Sequence, residues 1–365
     1  MKTKIKIGVL GAGRMAGWFS EGLTVVEDAV RYAVGSRTLE KAQAFADKYG
    51  YEKAYGSYEE ILQDPEVDLV YIATPIRNHY ANIKVALEAN KNVLCEKSLT
   101  VNAAQAEEVV ALARSKGLFL MEAVWTLCQP VYRKIREWAE NGLLGEIRAA
   151  DGNFYTAAGK GHRLYNADTG GGALLDLGFY PVTFACTFLG MHPDQILSHT
   201  IMGTHPGQPP ADTFRMQDDQ NRACRNESAD AVSSGLRAGD SAVDFIDSIV
   251  LTYPNGSFAH LSTGLGEKKR AAMFLMGTKG RVALQDELFF QAQKAQALNF
   301  DNEVLDSIEE PFLKNGYEYE AMEAIRCLQE GRTESELVPL DDSIAVMRIL
   351  DICRANAGFK YPFEK

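Results

Sequence analysis

The run Ile5-Lys6-Ile7-Gly8-Val9-Leu10-Gly11-Ala12-Gly13-Arg14-Met15-Ala16 decides the reading of this chain. Ile5 to Leu10 is an apolar, β-branched stretch of strand type that runs straight into a glycine turn. Met15 to Leu23 then has the composition of a helix. Strand, tight turn and helix start, in that order, form the phosphate-binding corner of a βαβ unit. Gly11 permits the sharp turn, Gly13 lets backbone approach a pyrophosphate, and the small Ala16 lets helix pack on strand. The helix N-terminus offers free N–H groups and a partial positive charge to the phosphates. Arg14 and Met15, at its start, are expected to border the cofactor. An ordinary strand–helix turn would show the same glycines, so the rest of the first third has to agree.

It does. Strands are expected at Ala29 to Val34, Asp68 to Ala73, Asn92 to Cys95 and Phe119 to Glu122. Helices are expected at Thr38 to Tyr49, Tyr58 to Leu62, His79 to Asn90 and Ala103 to Lys116. Strands separated by helices of this length predict a doubly wound parallel sheet of Rossmann type over residues 1–125. Ligands of such sheets sit at the C-terminal ends of the strands. Those ends carry Ser36-Arg37, Thr74-Pro75, Glu96-Lys97 and Glu122 to Trp125. Ser36, Arg37, Thr74, Pro75, His79, Glu96 and Lys97 join the glycine turn as expected cofactor-binding residues.

Beyond residue 125 the pattern changes. A helix at Pro130 to Asn141 is followed by hairpin-rich sequence. Asp247 to Tyr253 and Ser257 to Leu261 flank Pro254-Asn255-Gly256, and Phe274 to Met276 and Arg281 to Leu284 flank Gly277 to Gly280. Helices at Tyr317 to Glu330 and Ser343 to Ala355 follow, the latter capped by Asp342-Ser343. Residues 126–365 are thus expected to form an α+β domain with an open, mainly antiparallel sheet and helices on one face. A bare sheet face predicts a homodimer or higher homo-oligomer. Residues 205–240, rich in proline and charge, read as an insertion making a flexible excursion between two strands.

Length 365 suits two domains, and 46% apolar with 24% charged residues is the balance of a globular protein. A net charge of −11 argues against nucleic acid or an anionic membrane as partner. The six cysteines form no C-x-x-C pair, so a reducing, cytoplasmic compartment and no metal site are expected. No run reaches membrane-spanning length.

The second strand ends about twenty residues past the glycine turn, where NAD-binding versions carry a carboxylate for the ribose. Here Gly35-Ser36-Arg37-Thr38 has none. Ser36 and Thr38 offer hydrogen bonds and Arg37 a partner for a 2′-phosphate, which favours NADP over NAD. Most lysines are solvated surface, but Lys97 ends a parallel strand and so lies in the crevice. Farther on, Gly170-Gly171-Gly172-Ala173-Leu174-Leu175-Asp176-Leu177-Gly178-Phe179-Tyr180 places Asp176 and Tyr180 four apart, on one helix face. Its glycines permit backbone to approach a ligand.

Together, Gly11 to Ala16, Cys95-Glu96-Lys97-Ser98 and Gly170 to Tyr180 resemble the glucose–fructose oxidoreductase / inositol dehydrogenase (Gfo/Idh/MocA) family. Within it, Met121 to Thr126, Gly145 to Arg148, Asp151 to Tyr155 and Gly331 to Ser335 are most similar to the dihydrodiol dehydrogenase and NADP-dependent D-xylose dehydrogenase group. The resemblance implies catalytic roles for Lys97, Asp176 and Tyr180, with Trp125, Phe154 and Arg148 at the substrate. Two departures stand out: the family's proline after the lysine is Ser98, and Tyr180 stands where some members carry a histidine.

The expected chemistry is hydride transfer between nicotinamide and a hydroxyl-bearing carbon of a polyhydroxylated small molecule, a sugar, polyol or cyclic diol, or the reverse reduction. Tyr180 would exchange the proton, its pKa lowered by the Lys97 ammonium, while Lys97 polarises the oxygen. Asp176 would orient the substrate or Lys97. Two other classes fit the same fold: an NAD-dependent glycosidase working through transient oxidation, and a non-catalytic nucleotide-sensing regulator.

Overall fold

A computed structural model describes residues 4–157, 162–203, 242–266, 270–284 and 288–364. The 205–240 excursion and Cys224 lie outside the described residues. The first unit runs β1 (Ile5–Leu10), α1 (Arg14–Gly22), β2 (Ala29–Gly35), α2 (Leu39–Tyr49), β3 (Lys53–Tyr55) and α3 (Tyr58–Gln63). It continues with β4 (Leu69–Ile72), α4 (His79–Glu88), β5 (Asn92–Glu96), α5 (Ala103–Lys116) and β6 (Leu120–Ala123). The strands lie in the order β3-β2-β1-β4-β5-β6, every pair parallel. The order reverses between β1 and β4, which opens the crevice beside the glycine turn. β4 is buried along its whole length, as a strand covered by helices on both faces must be. Only β3 escapes the sequence pattern; its three residues are too few to show a period.

A short α6 (Trp125–Cys128) and α7 (Pro130–Glu140) lead to the second sheet. There follow β7 (Ile147–Thr156), α8 (Phe179–Leu189), β8 (Gln195–Gly203), β9 (Val243–Thr252) and β10 (Phe258–Leu265). Then come β11 (Arg270–Gly277), β12 (Arg281–Leu284), β13 (Lys294–Leu298), β14 (Val304–Glu309), α9 (Glu318–Gln329) and α10 (Leu340–Asn356). The strand order is β14-β13-β12-β11-β7-β10-β9-β8. β7 and β10 pair in parallel, and the other neighbours are antiparallel. The sheet is therefore open and mainly antiparallel, with α8 packed on β7 and β10 and α10 on β8. α10 also packs on α5 and β6 of the first unit.

The start of α10 departs from expectation. Its N-cap is Pro339, and Asp341 and Asp342 lie in the first turn instead of capping it. Acidic side chains there complement the positive end of the helix dipole, so they stabilise the terminus without being its cap. Among the described residues, no helix is long and apolar enough to cross a membrane.

Candidate active site

At the glycine turn, Gly11 has φ +101°, and a Cβ there would lie 3.0 Å from the Ala73 carbonyl oxygen. Only glycine fits both demands. Gly13 caps α1 through backbone alone, and a Cβ added to it would meet nothing within 4 Å. The first turn of this nine-residue helix holds no acidic residue. Open space ahead of uncapped helix N–H groups is what a pyrophosphate requires, so the turn fits a dinucleotide. At the end of β2, Ser36 is buried and its N–H bonds Tyr55 O, Arg37 is exposed, and the Thr38 hydroxyl caps α2.

Lys97 lies just past β5, in the same crevice. Its Nζ donates to the carbonyl oxygen of Asp176 at 2.6 Å and to Asp176 Oδ1 at 3.0 Å. The reason lies in the segment before α8. Leu174–Gly178 is a π-helical turn in which Phe179 N–H reaches back to Leu174 O. In that register Asp176 O would look to residue 181, which is Pro181 and has no N–H. Lys97 supplies the missing donor. The π turn is also why spacing on an ordinary helix face does not describe the Asp176–Tyr180 pair.

Ser98, where the family carries proline, is fully buried and donates its hydroxyl to Leu175 O at 2.9 Å. The Lys97–Ser98 peptide is cis. Leu99 N–H donates to Glu122 Oε1 at 2.6 Å. Lys97 is therefore held on both flanks, by α8's approach segment and by β6. Burial pushes the Glu122 carboxyl up to about 7.

Asp176 is clamped a second time. Arg163 Nη2 lies 3.1 and 2.9 Å from its two carboxylate oxygens. The Lys97 and Arg163 charges overcome the effect of burial and hold the Asp176 carboxyl well below its usual range. Arg163, which no sequence pattern singles out, thus joins the site.

Lys97 Nζ lies 4.8 Å from the Tyr180 ring centroid, so the ammonium and the phenol do converge. Trp125 Nε1 donates to Tyr180 Oη at 3.1 Å. The expected lowering of the Tyr180 pKa is not found. Burial, reinforced by the nearby Glu96 carboxylate, pushes the phenol well above 10, although the Trp125 hydrogen bond opposes this. Around it stand Phe154, 5.8 Å away between ring centroids, and Phe290 at 5.3 Å. Trp125 stacks on Tyr317 at 4.6 Å, with Phe312 behind it. Phe290, Phe312 and Tyr317 are additions; the first two come from irregular segments without period, and Tyr317 starts a predicted helix whose pattern does not show that its ring faces the site.

Three expectations need correction. Arg148 does not approach the cleft: its guanidinium bonds Glu146 Oε2 and Asn255 O on an exposed surface. It precedes Phe154 by six residues on an extended strand, roughly 20 Å of chain. His79 is buried, with Nδ1 2.9 Å from Ser98 O and Nε2 2.8 Å from Thr74 O, so it ties two crevice loops together and has no edge left for a cofactor. Glu96, buried at the end of β5, accepts the Tyr71 hydroxyl, which is compatible with its expected place in the cofactor crevice. The Gly170 to Gly172 backbone approaches protein, not ligand. A Cβ on Gly171 would lie 2.5 Å from Arg163 O, and one on Gly172 would lie 2.0 Å from Asp244 Oδ1. Tyr361 Oη also donates to Gly171 O at 2.8 Å.

A dinucleotide crevice facing a lysine–aspartate–tyrosine cluster defines a nicotinamide-dependent oxidoreductase. Comparison with known proteins agrees. The profile described as "Oxidoreductase family, NAD-binding Rossmann fold" matches residues 5–124, and "GFO/IDH/MocA C-terminal domain" matches residues 132–283. The chain belongs to the GFO/IDH/MocA oxidoreductase family, with relatives in its dihydrodiol dehydrogenase group. The trans-1,2-dihydrobenzene-1,2-diol dehydrogenase of Bos taurus is 31% identical over 367 residues, 99% of each chain. That of Oryctolagus cuniculus is 32% identical over 368 residues, covering 98% of this chain and 100% of the relative. Among solved structures, KijD10, a 3-ketoreductase from Actinomadura kijaniata in complex with NADP and TDP-benzene, superposes with a TM-score of 0.77. It is 26% identical and covers 97% of this chain and 98% of its own.

Proposed function

We propose that the protein transfers hydride between NADP(H) and a carbon bearing a hydroxyl or carbonyl on a sugar, polyol or cyclic diol. Gly11, Gly13, Arg14 and Met15 would hold the pyrophosphate, Ser36 and Arg37 the adenosine 2′-phosphate, and Thr74, Pro75 and Lys97 the nicotinamide side. The absence of a carboxylate from residues 35 to 38 supports NADP. When bound, the cofactor supplies or accepts the hydride.

The residues do the rest. Two Lys97 N–H bonds are committed to Asp176, which leaves the third to polarise the substrate oxygen. Tyr180, kept protonated by its surroundings, donates its proton to that oxygen in reduction. The phenolate left behind is stabilised by the Trp125 N–H and the ammonium above the ring. Oxidation runs the same steps backwards and needs Tyr180 ionised first. The aromatic wall of Trp125, Phe154 and Phe290 suits the C–H face of a hydroxylated ring.

The convergence of Lys97 and Tyr180 carries this reading. Its test is a reduced-nicotinamide absorbance screen of aldoses, cyclic diols, ketoses and dicarbonyls with NADP(H) and NAD(H). Turnover of a diol, sugar or ketone with NADP(H) preferred is expected. Purified protein that turns over glycosides without added nucleotide, or binds NADPH yet turns over nothing, would overturn it.

We also read residues 1–125 as the cofactor unit and 126–365 as the substrate unit. Exposed Leu197, Phe258 and Met276, on the face of the second sheet that no described helix covers, support a homodimer. Buried free thiols at the five described cysteines fit the cytoplasm.

A further inference from the structure

We propose that Asp244 and Asp247 form a positioning pair that shares one proton beneath the glycine segment and thereby fixes Asp176 for Lys97. The inference rests on the reading that Lys97, Asp176 and Tyr180 surround the reacting carbon. Residues three apart on a regular strand face opposite sides, but β9 is irregular. Ile201 pairs with Ile246 and Met202 with Asp244, so Phe245 is an extra residue, a bulge. The bulge turns Asp244 to the same buried face as Asp247, where they are 1% and 0% exposed.

Each carboxyl uses one oxygen to hold its surroundings. Asp244 Oδ2 accepts the Leu174 N–H at 2.5 Å, and Asp247 Oδ1 accepts the Thr200 hydroxyl at 2.7 Å. The remaining oxygens, Asp244 Oδ1 and Asp247 Oδ2, meet no donor among the described residues. With the bulge between them, the two side chains share one buried face, and each feels the other's charge. Two bare carboxylates in such a place would repel, whereas one proton between them gives an O–H···O⁻ bond. Burial raises both carboxyls, and the neighbouring charge raises Asp247 further.

The pair bears directly on the catalytic segment. Gly172, at φ +120°, lies so close to Asp244 Oδ1 that no side chain fits between them. From Leu174 the π turn leads at once to Leu175 O, which accepts from Ser98, and to Asp176, which accepts from Lys97. Asp247 sets Asp244, Asp244 sets Leu174, and the turn sets the lysine. Neither carboxyl need touch substrate.

The experiment compares D244A, D247V, D244N and D247N, each with NADP⁺ and trans-1,2-dihydrobenzene-1,2-diol as probes. Readouts are kcat, NADP⁺ affinity by fluorescence, thermal unfolding, and hydrogen exchange of a peptide spanning residues 172–178. D244A and D247V are expected to lose about 10-fold or more in kcat with NADP⁺ affinity within about 2-fold. Exchange at Leu174 should speed up by a similar factor. D244N and D247N, whose amides keep a donor–acceptor link without a shared proton, should recover to within about 3-fold. If D244A does not fold, D247V carries the comparison. The pair is overturned if D247V and D247N behave alike, or if the alanine and valine variants lose only thermal stability while kcat and exchange stay at the wild-type level. A wild type that turns over neither the diol nor any sugar, polyol or carbonyl compound of the absorbance screen, with the exchange pattern as expected, would count against the proposed reaction and leave the pair standing.

Discussion

Trp125 donates its indole N–H to the hydroxyl oxygen of Tyr180 at 3.1 Å, inside a site that otherwise holds the phenol's proton firmly. A hydrogen bond to the oxygen favours the ionised form, so this contact matters most once the proton has left. Trp125→Phe keeps the ring face toward Tyr317 and removes only the donor. We expect kcat to fall about 5- to 20-fold, equivalent to about 1–2 kcal/mol, with KM for NADP(H) unchanged. Steady-state kinetics would show it, and an equal loss in cofactor affinity would contradict it.

Lys97→Met removes the donor to Asp176 and the one proposed for the substrate oxygen. Turnover should drop by about 10²- to 10⁴-fold, while NADPH still binds at the glycine turn. Fluorescence titration beside a rate assay separates the two. Turnover near the wild-type level would end the proposed mechanism.

The two directions should respond oppositely to pH. In the proposed mechanism reduction uses protonated Tyr180, and the phenol is raised well above 10, so its rate should be flat through neutral pH with no alkaline fall below 10. Oxidation uses the ionised form and should climb across the same range. Rate profiles measured in both directions, with a Tyr180→Phe control, test this.

Stability should rise as pH falls from 8 toward 5. Glu122 is raised to about 7 and Asp244 to about 6, so the folded chain binds these protons more tightly than the unfolded chain. Their contribution is complete below the ordinary carboxyl range, near 4, and is lost as pH climbs through 6 and 7. Asp176 works the other way: its stabilisation is present above about 4 and lost below. Thermal unfolding against pH should therefore peak near 5. Glu122→Gln should remove the slope around 7, worth about 1–3 kcal/mol.

Much of this was legible in the chain itself. The first sheet followed from apolar strands alternating with helices, because a parallel sheet buried on both faces leaves an unbroken apolar signature. Lys97 was reachable because it follows a strand whose end the pattern predicts, and Asp176 and Tyr180 because their glycine-rich segment resembles the family's. Arg163 and Phe290 were not, since they arrive on short turns held by contacts distant in sequence, and the helix predicted from Tyr317 does not say which way that ring points. Arg148 and His79 failed for different reasons. One faces solvent at the far end of its strand; the other spends both ring edges on backbone. The direction of the Tyr180 shift was out of reach as well, because a charge near a phenol predicts ionisation only until burial is weighed against it.

The bond from Tyr361 to Gly171 carries a practical lesson for anyone handling this protein. A reporter, affinity label or resin attachment at the carboxyl end would tug on the same backbone that steadies the reacting centre. Fusions placed at the amino end, ahead of β1 and so at the other end of that strand from its glycine bend, spare that linkage. Shortening the chain ahead of Tyr361 should dull the enzyme before it unfolds it.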